Sequence, residues 1–305
     1  MAEMKWTAAE DTDERLDKYL STISDLSRSR IQDLARQGLI FINGKPEKAS
    51  YRVCPGDVIT CDVPEDVPLD VTAENIPLDI LYEDSDIIVI NKPKGMVVHP
   101  AAGNTSGTLV NALLYHCEDL SGINGVIRPG IVHRIDKDTT GCIVACKNDA
   151  AHEAIAKQLE NKTCRRTYKA IVMGNIVHDA GTIDAPIGRD PRERQKMTVT
   201  DKNSRNAVTH FKVLQRFKSC TLVECNLETG RTHQIRVHMK YIGHPVMGDE
   251  KYGKKSRYMD TCGQVLHASD LYLVHPSTGE EMHFQAPLPE YFVKLLAMLE
   301  EESAK

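Results

Sequence analysis

The chain has 305 residues, 41% hydrophobic and 27% charged, which suits a soluble globular protein with one large domain and a small one. No apolar run reaches the length that spans a bilayer, and the acidic start MAEMKWTAAEDTDER lacks the apolar stretch of a secretory signal. The net charge of −5 counts against a nucleic-acid partner only when averaged over the whole surface; local clusters of Lys and Arg decide, and the chain has them.

Residues 13 to about 23 are predicted helical, because Leu16, Leu20 and Ile23 fall at helical spacing, with Asp13 as the candidate N-cap. A second helix is predicted from Ser27 or Ser29 to Gln37, with Ile31 and Leu34 on its apolar face. Its opening turn carries Arg28 and Arg30, and Arg36 comes late. Residues 39–42 read as a strand, Asn43-Gly44 as a type I′ hairpin turn, and Lys45 onward as the return. Residues 58–63 read as a last strand after the Pro55-Gly56-Asp57 turn. Residues 64–70 are acidic and hold two prolines, which marks a linker. A first domain over 13–75 and a second over 76–305 are therefore expected.

In the second region, residues 86–90 are a predicted strand and 109–117 a helix. Residues 142–146 are a short apolar run that suits a buried strand. A helix is expected over 149–161, with Ala151, Ile155 and Leu159 on one face, and a strand over 167–173. Residues 208–217 and 221–227 form a predicted hairpin around Lys218-Ser219. A further helix is predicted over 232–241, with Thr232 as candidate N-cap and Gly243 beyond its end. Strands with interspersed helices indicate an α+β domain. The nine cysteines are odd in number and include no C-x-x-C pair, so buried reduced thiols are expected. The twelve histidines include no H-E-x-x-H, and no metal site is expected.

Residues 130–141 read GIVHRIDKDTTG. A carboxylate flanked by two cations, Arg134-Ile135-Asp136-Lys137, sits on a polar bend between apolar segments. Alone, such a carboxylate is a turn or capping residue more often than a catalytic one. It is not alone. The stretch closely resembles the signature of RNA pseudouridine synthases of the RluA type, HRLD followed by a short polar run and Ser-Gly or Thr-Gly, with Ile135 in place of Leu. Three further segments resemble that family in order. They are Asn91-Lys92-Pro93-Lys94-Gly95 with Val98-His99-Pro100, then Arg166-Thr167-Tyr168-Lys169-Ala170, then residues 229–239, TGRTHQIRVHM. The two helices with a basic edge followed by a small sheet resemble the αL-type RNA-binding module.

The resemblance implies an α+β catalytic domain with a single mixed, mostly antiparallel sheet and a central RNA-binding cleft, behind an αL module. It implies that Asp136 acts at the glycosidic bond, as nucleophile, charge stabiliser or base toward a sugar proton; the sequence leaves these routes open. Arg236 is implied as the partner that keeps Asp136 ionised, since burial alone would raise a carboxylate's pKa and a guanidinium opposes that. Tyr168 resembles the tyrosine that stacks on the flipped base, and its hydroxyl could take the C5 proton only with a shifted pKa. Arg134 resembles the arginine that fills the vacated place or binds the adjacent phosphate. His133 is read as structural.

Phosphate contacts are expected from Arg28, Arg30, Arg36, Lys45 and Lys48 in the first domain and from Lys92 and Lys94 beside the cleft. They are also expected from Arg192 and Arg194 in residues 189–205, a loop or mobile hairpin that the family uses as an RNA-pinching arm. Each of these cations also reads as an ordinary solvated one. The product is an isomer of the substrate, so no cofactor is expected. The attached module, with residues 104–107 and 126–130, resembles the RluD-like large-subunit rRNA branch more than tRNA-directed members. A cytoplasmic monomer acting on rRNA is the expectation. The competing readings are a non-catalytic RNA-binding factor, which intact Asp136, Tyr168 and Arg236 oppose, and a glycosidase, which would need a second carboxylate.

Overall fold

The computed structural model describes residues 2–9, 12–24, 26, 28–63, 71–100, 103–117, 120–122 and 129–305, without the side chains of residues 2, 3, 29, 30 and 33. The expected linker at 64–70, the Arg30 side chain and residues 126–128 therefore lie outside the described residues. The chain divides into two compact units, Met1–Pro68 and Leu69–Lys305.

The first unit contains β1 (Ala2–Thr7), α1 (Leu16–Ile23), α2 (Arg28–Arg36), β2 (Ile40–Ile42), β3 (Lys45–Pro46) and β4 (Val58–Val63). The strands form one antiparallel sheet in the order β1-β4-β2-β3. Leu16 and Leu20 lie four apart and Ile31 and Leu34 three apart, so each helix turns one apolar face onto Ile40 and Ile59 of the sheet. β1 pairs along the full length of β4, where the sequence analysis placed no element. Asp13 is not the cap of α1: its carboxylate accepts a hydrogen bond from Arg52 at 3.0 Å, and Arg15 holds the cap position with no side-chain capping bond. The hairpin turn is as expected, with φ of 51° at Asn43 and 78° at Gly44, the left-handed pair that a type I′ turn requires.

The second unit begins with β5 (Ile80–Glu83), β6 (Ile87–Lys92), α3 (Leu109–His116), β7 (Thr140–Cys146), α4 (Asp149–Glu160) and β8 (Arg165–Met173). β9 (Ala180–Asp184), β10 (Ile187–Arg189), β11 (Met197–Val199) and β12 (Ser204–Arg205) follow. It ends with β13 (Val208–Arg216), β14 (Cys220–Leu227), α5 (Gln234–Tyr241), β15 (Leu266–Val274), β16 (Glu281–Gln285) and α6 (Glu290–Ala304).

The main sheet runs β5-β6-β7-β15-β8-β14-β13-β9, with β16 paired to β15. Every neighbouring pair is antiparallel except β7 with β15, so the sheet is mixed and mostly antiparallel. Among the described residues, β15 is the strand that hydrogen-bonds the early half of the sheet, β5-β6-β7, to the later half, β8-β14-β13-β9. Each residue of β7 is buried, which explains its uninterrupted apolar run. Ile143 and Ala145 join one core with Tyr168 and Ala170, and Cys142, Val144 and Cys146 join another with Ala151 and Ile155 of α4. At Gly141 φ is 106°, and a Cβ there would stand 2.1 Å from the Ala268 carbonyl oxygen of β15. Only glycine lets the strand after the Asp136 bend approach β15 so closely.

Residues 189–205, expected as a loop or hairpin, carry parts of a small three-stranded sheet, β11-β10-β12. Helix α5 begins two residues later than the sequence suggested. His233, not Thr232, takes its cap position, in the left-handed region at φ 59° and without a capping bond. All nine cysteines are free, and only Cys54 and Cys262 are exposed.

Candidate active site

Asp136 sits on the bend before β7, pinned from below by buried Ile131 and Ile135. The turn closes by a hydrogen bond from the Thr139 N–H to the Asp136 carbonyl at 3.0 Å. It is tied to the 91–95 segment as well, because the Gly95 N–H donates to the Lys137 carbonyl at 3.0 Å. The carboxylate of Asp136 is thereby held at the surface of the sheet with 19% of its side chain exposed.

Helix α5 supplies the opposing cation. Ile235 and Met239 bury one face of the helix in the main core. Gln234 donates to the Val208 carbonyl at 2.9 Å, and His238 bonds Thr209 and the Ala185 carbonyl, both at 2.9 Å, which locks the helix onto β13 and its approach. The remaining face points Arg236 at the bend. Its Nη1 donates to Asp136 Oδ2 at 2.8 Å. Its Nε and Nη2 donate to the two oxygens of fully buried Asp249, at 2.6 and 2.9 Å. Burial alone would lower the Arg236 pKa, but its hydrogen bonds to Asp249 and the charges of both carboxylates hold it above its ordinary value. A bidentate clamp on one edge of the guanidinium leaves one N–H aimed at the second carboxylate.

Two further side chains close the back of the site. His233 Nδ1 and the Tyr252 hydroxyl are 2.7 Å apart, and that hydroxyl accepts from the Met197 N–H of β11 at 2.8 Å. A phenol oxygen that already accepts is free to donate its proton to Nδ1, which leaves the His233 proton on Nε2, 3.9 Å from Asp136. Burial pushes His233 down to about 4, so it is neutral at pH 7.

Tyr168 lies on β8 between Cys225 of β14 and Ala268 of β15 and is buried. With Asp136, Arg134, Leu227, Ile235 and Leu266 it lines a cleft of about 430 Å³. Leu227, Ile235, Leu266 and one tyrosine ring, beside a carboxylate and Arg134, Arg166, Arg231 and Arg236, suit a flat base carried on an anionic strand. A second cavity of about 740 Å³ on the other side of Asp136 is lined by Lys137, Asp138 and Lys251 among others. Burial pushes the Tyr168 hydroxyl above its ordinary value, against any role that needs the phenolate.

The family model for RNA pseudouridylate synthase matches residues 86–241, and that for the S4 domain matches residues 14–59. The chain belongs to the RNA pseudouridine synthase family. The synthase is 57% identical to the Bacillus subtilis protein named uncharacterized RNA pseudouridine synthase YlyB, over 98% of this chain and 99% of that one. It is 44% identical to ribosomal large subunit pseudouridine synthase D of Zymomonas mobilis, over 93% of both chains. Among solved structures, human RNA pseudouridylate synthase domain containing 4 aligns with a TM-score of 0.56 at 28% identity, over 72% of this chain and 92% of that one. The N-terminal S4 domain is the RNA-binding module that the sequence analysis expected.

Within the synthase, Lys92 and Lys94 do not stand where a phosphate contact needs them. Lys92 is fully buried, and its ammonium donates to the carbonyls of Pro93, Met96 and Lys137 at 2.8, 2.8 and 3.0 Å. All three of its protons are used in holding the 91–96 segment to the Asp136 bend, so it supports the site from within. Lys94 donates to the Thr261 and Gln264 carbonyls at 2.6 and 3.1 Å and lies over the Tyr291 ring. Burial pulls Lys92 down to about 7 and Lys94 to about 8.

Arg134 is exposed and lines both cavities. Arg192 and Arg194 are exposed on the turn between β10 and β11, which Asp190 shapes by accepting the N–H groups of Arg192 and Glu193. In the first unit Lys45, Lys48 and Arg36 are exposed. Arg28 is half engaged, donating to buried Asp17 at 3.1 Å. His133 is buried and accepts from the Val144 N–H at 3.1 Å, a structural part as expected.

Asp249 and Tyr252 were not found from sequence. Both stand in Gly248-Asp249-Glu250-Lys251-Tyr252-Gly253, where a carboxylate between glycines reads as an ordinary turn. Among the described residues, Asp84, Asp86 and His275 bring three ligand atoms within 4.8 Å of one another. His275 Nδ1, however, accepts from the Ser277 and Thr278 N–H groups, and Nε2 stands 2.7 Å from Asp84. Nε2 therefore carries the proton and donates it, and the cluster is a hydrogen-bonded clip between two turns.

Proposed function

We propose that this synthase isomerises uridine to pseudouridine at defined positions of large-subunit ribosomal RNA, with Asp136 acting at the glycosidic bond. The observation that carries the reading is the 2.8 Å contact between Asp136 and Arg236, made by an arginine that Asp249 already clamps, at the edge of a cleft floored by Tyr168. The names of relatives such as the Zymomonas mobilis enzyme support the large-subunit target.

The reaction breaks the bond from ribose C1′ to uracil N1 and joins C1′ to C5. C5 gives up one proton and N1 gains one, so the atoms balance without a cosubstrate and the reading includes no cofactor. Cleavage builds positive character on the sugar. Asp136, held by the Arg236 guanidinium at the edge of the cleft, meets that charge as it develops. The carboxylate either bonds C1′ or takes the C2′ proton; both routes need it unprotonated and within reach of the sugar. Tyr168 supports the extruded base with its ring. Arg134, exposed at the junction of both cavities, is placed to enter the space that the base vacates. The reading takes the synthase as a cytoplasmic monomer.

The test uses large-subunit rRNA transcribed with tritium at uridine C5, since isomerisation releases that tritium to water. Release by the wild type and none by Asp136→Asn is the expected result. Release by both would remove Asp136 from the chemistry. Release by neither would move the target to tRNA or to an assembled particle, which the same assay then checks.

A further inference from the structure

Arg166 begins the segment Arg166-Thr167-Tyr168, yet the reaction as described gives it no task. It lies two residues before Tyr168 on β8, and it lines the same cleft as Asp136 and Tyr168. The residue is half-buried. Its Nε is fully buried and makes no hydrogen bond. Among the described residues, no carboxylate or carbonyl accepts from its guanidinium. Gly230 packs against that guanidinium, and a Cβ at position 230 would come within 3.2 Å of Arg166 Nη1. The absence of a side chain at 230 is what leaves the guanidinium its space.

Arg166 also lines a second pocket, of about 720 Å³, together with Lys162, Arg165, His210 and Glu228. The other cationic side chains of that pocket already have partners. Glu228 takes both Lys162 and His210 at 2.8 Å, and Arg165 lies over the Tyr272 ring at 5.1 Å. Among the described residues, Arg166 thus has no counter-ion, and it stands on the wall shared by the catalytic cleft and its neighbour. A buried N–H of a charged group with no acceptor is unfavourable, and such a group is retained where a ligand completes it.

The geometry points to Arg166 as the binding residue for an RNA phosphate next to the target nucleotide, where the strand passes from the catalytic cleft into the neighbouring pocket. This rests on the reading that the target uridine occupies the cleft beside Asp136. If that nucleotide fills one pocket and the next nucleotide the other, the group joining them at the shared wall is a phosphodiester. A phosphate brings the negative charge that the guanidinium lacks and presents two oxygens to its fork. A uracil carbonyl would supply one acceptor and leave the charge unmatched.

The test compares wild type, Arg166→Gln and Arg166→Lys. Affinity for a large-subunit rRNA transcript is measured over a range of KCl concentrations, with tritium release followed on the same RNA. Arg166→Gln is expected to weaken binding about tenfold, the order of a hydrogen-bonded charge contact. It should also make the slope of log affinity against log salt shallower by about 0.7, the value of one single-strand phosphate contact. Arg166→Lys should keep the slope and recover part of the affinity. Methylphosphonates are then placed singly around the isomerised uridine in a synthetic RNA. One of them should weaken the wild type and leave Arg166→Gln unaffected.

An unchanged salt slope in Arg166→Gln would overturn the inference. So would a wild type indifferent to every neutral phosphate, a result that holds even if the glutamine variant fails to fold. Loss on 2-thio or 4-thio substitution of the target base, with no phosphate dependence, would assign Arg166 to the base instead. Wild-type binding without tritium release would overturn the rRNA target and not this contact, which the salt slope decides by itself.

Discussion

Both units of the molecule bury a carboxylate to hold arginine, and they do so to opposite ends. In the S4 unit, Asp17 is fully buried and accepts from Arg15, Arg28 and Gln32, but the two arginine side chains remain 50% and 53% exposed. In the catalytic unit, Asp249 is equally buried, and its arginine, Arg236, is only 6% exposed. The first arrangement fixes the direction of cations that stay in water, where salt screens them. The second takes the cation out of water and turns an N–H of its other edge to another carboxylate. Charge in a low-dielectric cleft acts more strongly and reorganises less, which is what a developing sugar cation requires. One motif of side-chain chemistry therefore occurs in two settings, and exposure of the arginine separates them.

The comparison breaks first at Arg236. Arg236→Ala is expected to lower turnover about 10²–10³-fold, the cost of losing one preorganised charge contact, with a much smaller change in RNA affinity. Equal loss of turnover and binding, read from tritium release beside a filter-binding assay, would put Arg236 with the S4 arginines instead. Arg236→Lys should fare little better, since an ammonium cannot hold Asp249 bidentately and reach Asp136 at once.

Asp249→Ala comes next. It leaves a buried guanidinium with one partner, so a stability loss of about 3–5 kcal/mol is expected in urea unfolding, together with loss of turnover. Asp17→Ala sharpens the contrast from the other side. Its partners are half in water and resolvate when released, so the stability loss should be smaller than for Asp249→Ala. Affinity for RNA should fall a few-fold, while turnover of saturating RNA stays at the wild-type value.

The smallest effect concerns pH. Burial pushes His133 down to about 3 and His233 to about 4, from an ordinary 6.5. Between those values and 6.5 the unfolded chain binds more protons than the folded one. Stability therefore has its full value above pH 6.5 and falls as the pH is lowered toward 4. His133→Asn keeps an acceptor for the Val144 N–H and removes one titrating group, so its unfolding free energy should vary less over that window. Chemical denaturation at pH 4.5, 5.5 and 7 reads the difference; an unchanged slope would mean that His133 is protonated in the folded protein.

Local chemistry was readable in the sequence wherever its cause is local. The helical spacing of Leu16 with Leu20, the Asn43-Gly44 turn and the apolar run at 142–146 each depend on a few consecutive residues, and each stands as expected. Asp136, Arg236 and Tyr168 were named through a family resemblance, and the fold gathers all three around one cleft. Lys92 went the other way. Beside Pro93, Lys94 and Gly95 it reads as a surface cation, but exposure is a property of tertiary packing, and the three carbonyls it serves come partly from the Asp136 bend 45 residues on. Asp249 was hidden for the same reason: its partner lies on a helix, and nothing in a Gly-Asp turn names that helix. The start of α5 was misplaced because the cap is a left-handed histidine with no capping bond, a choice made by Tyr252 and the site around it rather than by helix propensity.

The position of β15 has a consequence for how the enzyme comes into being. Asp136 precedes β7 in the early half of the sheet, and Arg236 is mounted on the later half; β15 is the strand between them, and it is formed by residues 266–274. A chain emerging from the ribosome carries both residues of the pair well before it carries the strand that brings them together. The order of translation thus puts the joining strand after both residues of the pair, so the carboxylate and the guanidinium are made before the part of the sheet that links their two halves.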